Sequence, residues 1–243
     1  MSGHSKWSQI KHKKALTDAK KGKLFSKFAR QITIAAKQKG GDPEKNTTLR
    51  MFMEKARVFN MPQENIERAI RRGAGEIEGA KFDEFLIEAY GPGGIALMIE
   101  GAADNKNRAI SEIKFILSEH RGKLAEGGAV AWLFERRGII NIALSENKIS
   151  KDDIEMQAIE SGAEDFKWLD NENLEIYTKP AELDKIKHFL EAQNVKINEA
   201  SLGWQPKNEI AASDEKTNQQ AQKLFEALDE NDDVNEIYSN LKS

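Results

Sequence analysis

The chain contains no cysteine. Disulfides, thiolate metal sites and cysteine nucleophiles are therefore excluded, and a reducing compartment is consistent with the composition. Long hydrophobic runs are missing too. Runs such as Gly93 to Ile99 fall far short of the roughly 20 apolar residues that a membrane-spanning helix needs. The opening Met1-Ser2-Gly3-His4-Ser5-Lys6 has no apolar core of the signal-peptide kind. A soluble, cytoplasmic protein with no membrane contact is the expectation.

Catalytic patterns are equally scarce. His4, His12, His120 and His188 lie in separate segments with no metal-box spacing such as HExxH, and each reads as a surface histidine. No GxxxxGK[ST] phosphate loop occurs. The run Gly73-Ala74-Gly75-Glu76-Ile77-Glu78-Gly79 has the wrong spacing for a dinucleotide fingerprint, and it ends a helix rather than following a strand. Asp152, Asp153, Glu155, Glu160, Glu164 and Asp165 read as a solvated helix face rather than a two-metal nuclease centre. The expectation is a protein that is not an enzyme, with no cofactor and no metal.

What is present is 243 residues, 39% hydrophobic and 32% charged, enough for one large domain or two to three small ones with ordinary cores. The net charge of −3 hides an asymmetry. Residues 1–40 hold ten lysines and Arg30 against one acid, Asp18, for a net +10. Residues 41–80 balance seven bases with seven acids, so the remainder carries −13. A basic segment with no interspersed acids to form helix-face pairs is the footprint of something that touches phosphate.

Periodicity predicts the elements. Leu24, Phe25, Phe28, Ile32 and Ala35 recur at helical spacing over 23–39, and Gly40-Gly41-Asp42-Pro43 ends that helix. A second helix carries Leu49, Phe52, Met53 and Ala56. A third starts after Asn60-Met61-Pro62 and carries Ile66, Ala69 and Ile70. The stripes predict a small bundle. The stretch from Ser5 to Gly22, poor in apolar residues, predicts an extended or weakly helical basic arm.

Beyond Gly79 the period becomes alternating. Phe85, Ile87 and Ala89, then Tyr90-Gly91-Pro92-Gly93-Gly94, then Ile95, Leu97 and Ile99 predict a hairpin. A helix over 105–120 follows, then a strand through Val130, Trp132 and Phe134. From Gly138 a βαββαβ pattern of the ferredoxin-like kind appears, its first helix capped by Ser150 and Asp153 and carrying Ile154, Ala158 and Ile159. The last segment predicts a short strand near Glu209 to Ala211, a helix through Leu224 and Leu228, and a strand around Val234 to Tyr238. The expected class is α+β and multidomain: a basic helical domain over 1–79, a discontinuous α/β domain from 80–135 with 204–243, and an inserted βαββαβ domain over 136–203.

Three features are candidates for binding. The basic set comprises Lys6, Trp7, Lys11, His12, Lys13, Lys14, Lys20, Lys21, Lys23, Lys27 and Arg30. An aromatic face among cations suits single-stranded or looped nucleic acid, although Trp7 serves equally as an anchor of the arm to the bundle. Arg68, Arg71 and Arg72 recur at three- and four-residue spacing, so their guanidinium groups are expected on one phosphate-bridging face. The loop Tyr90-Gly91-Pro92-Gly93-Gly94 is a candidate partner contact.

Several of these segments together resemble the YebC/PmpR family. They are Ser2-Gly3-His4-Ser5-Lys6-Trp7, Lys20-Lys21-Gly22-Lys23-Leu24-Phe25-Ser26-Lys27, Asn60-Met61-Pro62, Ile66-Glu67-Arg68-Ala69-Ile70, Gly73-Ala74-Gly75 and Tyr90-Gly91-Pro92-Gly93-Gly94. The mitochondrial translational activator of cytochrome c oxidase subunit one is an organellar relative of that family. The resemblance implies three domains, a helical one and two α/β ones, with no catalysis by side chains. It implies either a DNA-binding transcriptional regulator or a ribosomal-RNA-binding translation factor that assists elongation through proline-rich stretches. The sequence departs from the family pattern at Ala103, where threonine is expected before Asp104-Asn105-Lys106-Asn107-Arg108. The acids Asp229, Glu230, Asp232 and Asp233 are expected to bear only on surface charge.

Overall fold

Three amphipathic helices come first because their apolar residues fall at helical spacing and none is stable alone. A computed structural model describes residues 18–79 and 81–242. In it α1 spans Asp18–Lys39, α2 Thr47–Val58 and α3 Gln63–Gly73. Residues 18–22 of the expected arm are thus helical. Lysine and alanine are good helix formers, so the helix outruns its apolar stripe. Lys6, Trp7, Lys11, His12, Lys13 and Lys14 lie outside the described residues. Ile32 of α1, Leu49 of α2 and Ile66 of α3 are fully enclosed, with Phe28, Met53, Ala56 and Ala69 around them. Gly73 is obligatory at the α1–α3 contact, where a Cβ would overlap the Thr33 carbonyl.

In chain order the remaining elements are β1 (Asp83–Tyr90), β2 (Ala96–Ala103), α4 (Lys106–Glu119), β3 (Lys123–Leu124), β4 (Phe134–Ala143) and α5 (Lys151–Glu160). Then come β5 (Asp165–Trp168), β6 (Asn173–Thr178), α6 (Leu183–Ala192), β7 (Glu199–Pro206), α7 (Glu215–Glu230) and β8 (Val234–Ser239). The described chain forms two compact units, one of 18–132 with 212–239 and the other of 133–211 with 240–242.

In the first unit the hairpin β1–β2 is central, in the order β3-β1-β2-β8, all antiparallel. Helices α4 and α7 bury Ala109, Ile113 and Leu117, and Ala221, Leu224 and Leu228. The second unit is an antiparallel sheet of order β5-β6-β4-β7 with α5 and α6. This is the ferredoxin-like arrangement. Ser150 caps α5 by accepting from the Asp153 N–H, as its sequence spacing predicts. Strands β4 and β7 pair from Phe134–Pro206 onward, beyond the limits of 136 and 203, because alternation weakens at their ends while the ladder continues.

Some expected elements differ. Val130 and Trp132 do not belong to a strand. Residues 131–133 form a 3-10 turn and Trp132 is 65% exposed, because a carboxylate described below curls this segment. Ile159 is 66% exposed rather than on the buried face of α5. The strand near Glu209 is a single parallel bridge between Ile210 and Leu241. The two-residue strand β3 is too short to leave a periodic signal.

Asn46 closes the bundle. It is fully buried and caps α2 by accepting from the Leu49 N–H at 3.0 Å. Its Nδ2 donates to the carbonyls of Ala35 and Gly40, each at 2.8 Å. One side chain therefore ties the end of α1 to the start of α2. Asn46→Ala is expected to lower stability by about 2–3 kcal/mol, since a cap is lost and buried carbonyls are stranded. Urea unfolding followed by circular dichroism checks this.

Candidate nucleic-acid interface

The bases of α1 divide into two sets. Lys23, Lys27 and Arg30 point toward the end of α7. The last carbonyls of a helix have no intrahelical partner and carry partial negative charge. Lys27, 5% exposed, donates to the Asp229 carbonyl at 2.6 Å, and Lys23 donates to that of Glu230 at 3.2 Å. Arg30 Nη1 donates to the Asp232 carbonyl at 2.8 Å and to Asp233 Oδ1 at 2.6 Å. Its guanidinium also lies 5.5 Å from the centre of the Phe82 ring.

Asp233 is the focus of this cluster. Its side chain is 4% exposed, and Arg108 Nη2 lies 2.9 Å from its second oxygen, Oδ2. That approach is Coulombic and not an aligned hydrogen bond, since Oδ2 accepts none. Arg108 also donates to Asp104 and Glu112. These two bonds, followed by the charge of Asp233, raise the Arg108 pKa, and the bond from Arg108 holds Asp104 below the usual aspartate value. The main chain of Asp233 is fixed as well. Ala102 N–H donates to its carbonyl at 2.9 Å, beside a register shift at Glu100/Gly101 where a Cβ on Gly101 would overlap that carbonyl. Asp233 and, in part, Asp229 are thus internal partners of α1, which corrects for them the expectation of surface charge alone; Glu230 and Asp232 are exposed and receive α1 through their carbonyls. Linear order hid this because Arg30 and Asp233 lie at opposite ends of the sequence. Lys55 of α2 makes a parallel contact, donating to Glu236 of β8 at 2.6 Å.

Other bases face outward. Lys21, Lys37, Lys39, Arg57, Arg68 and Arg71 are exposed. Arg68 donates to Asn65 Oδ1 at 2.5 Å, and Arg71 sits 3.3 Å from Glu76 at the surface. Arg72 departs from the expected common arginine face. It is half-buried and lies against Gly79, where a Cβ would overlap its Nε. With Thr33, Lys37, Lys81 and Phe82 it lines a cleft of about 550 Å³. Linear order does not mark Lys37 and Lys81 as site residues. The signal that could have found them is the glycine run 73–79, which admits cationic side chains close to backbone.

The loop at 90–94 is built into the first unit. Gly91 and Pro92 are buried, Leu224 of α7 packs beside Gly91, and Gly93 adopts φ 69° next to Thr217. Only Gly93 and Gly94 remain exposed. Tyr90 Oη donates to the Ala129 carbonyl at 3.2 Å. Glu88 accepts from the N–H groups of Gly128, Val130 and Ala131 at 2.6, 2.6 and 2.7 Å. Burial alone would raise its pKa, but the three N–H donors together outweigh burial and lower it. This carboxylate is what curls 128–131 away from strand geometry. Among the described residues no group of three or more histidine, aspartate or glutamate side chains is placed to hold a metal ion, and no helix is long and apolar enough to cross a membrane.

Comparison with known proteins covers almost the whole chain. Residues 5–76 match the TACO1/YebC protein N-terminal domain, and residues 82–241 match the TACO1/YebC second and third domain. A protein of Halothermothrix orenii named "Probable transcriptional regulatory protein" is 48% identical over 240 residues, covering 99% of this chain and 94% of that one. One of the same name from Persephonella marina is 46% identical over 242 residues, covering 100% and 96%. The crystal structure of a conserved hypothetical protein from Aquifex aeolicus superposes with a TM-score of 0.89 at 44% identity, over 97% of this chain and 96% of that chain.

The buried ion pair makes a quantitative prediction. Asp233→Asn leaves Arg30 facing an uncharged partner and is expected to cost about 3 kcal/mol. Combining it with Arg30→Gln should cost less than the two single changes together by at least about 1 kcal/mol, because the residues share one interaction. Urea denaturation of the four proteins measures the coupling.

Proposed function

The chain belongs to the TACO1/YebC family, and we propose that it is a non-enzymatic, nucleic-acid-binding regulator of gene expression; the names of its relatives, probable transcriptional regulatory proteins, support the regulatory part of that reading. The observation that carries this reading is the division of bases on the bundle. Residues 18–79 hold fourteen bases against eight acids. Asp232, Asp229 and Asp233 engage Lys23, Lys27 and Arg30 respectively, while Lys37, Lys39, Arg57, Arg68 and Arg71 stay at the surface. Four further lysines precede residue 18 with no acid among them.

Such a surface binds by neutralising phosphates and releasing their counterions. Its role is to hold and position nucleic acid, with no reacting group of its own. Polarity follows from the charge: the basic bundle meets the polyanion, and the acidic remainder of the chain is repelled by it.

A second reading, contact with ribosomal RNA in translation, is favoured by α3. Its first turn carries Glu64, and Gln63 donates to Glu67 on the exposed side. Reading bases in a DNA major groove requires donors and acceptors suited to base edges at the start of the inserted helix. An acidic start is repelled by flanking phosphates, whereas shaped RNA is bound largely through backbone and unpaired bases.

Cosedimentation with ribosomes and binding to mixed-sequence duplex DNA, each across a salt series, separates the readings. Binding to nucleic acid is expected to weaken in the variant Lys39→Gln/Arg68→Gln/Arg71→Gln. The slope of log affinity against log salt should also flatten by about one per lost phosphate contact. Salt-tolerant preference for particular duplexes supports transcription. Stoichiometric ribosome binding with weak, steeply salt-sensitive DNA binding supports translation. Failure to bind either overturns the nucleic-acid reading.

A further inference from the structure

The cleft between α1 and the segment after α3 has features that the outward-facing bases alone do not require. It is lined by Lys37 from the last turn of α1, by Arg72, and by Lys81, with Glu78 as the one carboxylate. Among the described residues neither Lys37 nor Lys81 is paired with an acid, so the cleft carries an excess of positive charge. Arg72 Nε is buried, and no described group accepts its hydrogen bond. A buried donor without an acceptor is unfavourable, and native structures leave few of them. Thr33 is not a free ligand, because its hydroxyl already donates to the carbonyls of Ala29 and Ala69.

The backbone around Arg72 packs closely on its side chain. Gly79 has no Cβ to press on the Arg72 side chain, and Gly75 turns the chain with φ 80°. Ile34, Ile77 and Phe82 supply an apolar wall. At about 550 Å³ the space exceeds what a bare phosphate fills and lies within the roughly 300–1,000 Å³ of small-ligand sites. A guanidinium donor with two ammonium groups selects a phosphate. An apolar wall beside it suits the sugar or base attached to that phosphate.

We propose that this cleft is a nucleotide phosphate site, in which the Arg72 guanidinium, Lys37 and Lys81 together balance the charge of the phosphate. The inference rests on the nucleic-acid reading above and deepens it by naming where one nucleotide unit is held. A phosphodiester within a strand and the phosphate of a free nucleotide share this chemistry.

The test uses the full chain labelled with nitrogen-15 and follows the Arg72 Nε–Hε resonance during titration with a uridine tetranucleotide, uridine monophosphate or inorganic phosphate. The tetranucleotide is expected to shift that resonance saturably. Arg72→Gln should weaken tetranucleotide affinity at least fivefold. Gly79→Ala, which pushes a methyl group into the place of Arg72 Nε, should do the same. Lys223→Gln on α7, a matched loss of charge away from the cleft, should stay within twofold. Melting curves identify any variant that fails to fold, and the wild-type resonance answers independently of the variants.

A saturable response to the monophosphate with no gain from the tetranucleotide keeps the phosphate site and assigns it to free nucleotides. Tetranucleotide binding that leaves Arg72 unmoved and both variants at wild-type affinity overturns the cleft while sparing the nucleic-acid reading. If the wild type binds no tetranucleotide, and neither ribosomes nor duplex DNA, both fall together.

Discussion

Asp233 is the residue on which the first unit closes. A carboxylate that is 4% exposed is costly unless it is paired and hydrogen-bonded. Arg30 from α1 supplies charge and a hydrogen bond, and Arg108 from α4 supplies charge from the other side, so one buried charge fixes two helices relative to β8. Further residues follow from it. Gly101 must lack a side chain for the Asp233 backbone to approach β2. Lys23 and Lys27 fall over the end of α7, where orphan carbonyls receive them. Replacing Arg30 by lysine would not be conservative, because its planar guanidinium also lies over the Phe82 ring while Nη1 serves Asp232 and Asp233.

This closure decides which bases are left for solvent. The sequence places eleven bases in the first 40 residues, and charge counting treats them alike. In the folded chain Lys27 and Arg30 are internal struts, while Lys37 and Lys39 lie on exposed surface. Surface ion pairs elsewhere, such as Arg71–Glu76, contribute little energy and yield readily to a phosphate.

Much of the fold was legible from periodicity. The three-helix bundle, the hairpin at 83–103 and the βαββαβ order of the second unit all follow from apolar spacing and turn residues, because local chemistry and packing agree there. The segment 128–132 departs from its sequence pattern for a physical reason. Val130 and Trp132 alternate like a strand, but Glu88 gathers the intervening N–H groups, and a distant carboxylate leaves no trace in a local window. Ile159 was misassigned because α5 is short and its apolar residues do not define one stripe. At the candidate interface, Arg68 and Arg71 were legible as exposed bases. The inward turn of Arg72 and its meeting with Lys37 and Lys81 depend on how α1 packs on α3 through Gly73. Trp7 and the lysines around it lie outside the described residues.

The central claim is that nucleic acid is met by those bases of the first unit that the internal acids leave unengaged. Lysine acetylation of the full chain, quantified by mass spectrometry with and without saturating ribosomes or duplex DNA, tests it most directly. The account predicts that Lys37, Lys39 and Lys81 react freely alone and are shielded in the complex. Lys27 should be unreactive in both states, and Lys179 and Lys185 of the second unit should react equally in both. Shielding of Lys179 and Lys185 with Lys37, Lys39 and Lys81 left reactive would contradict it.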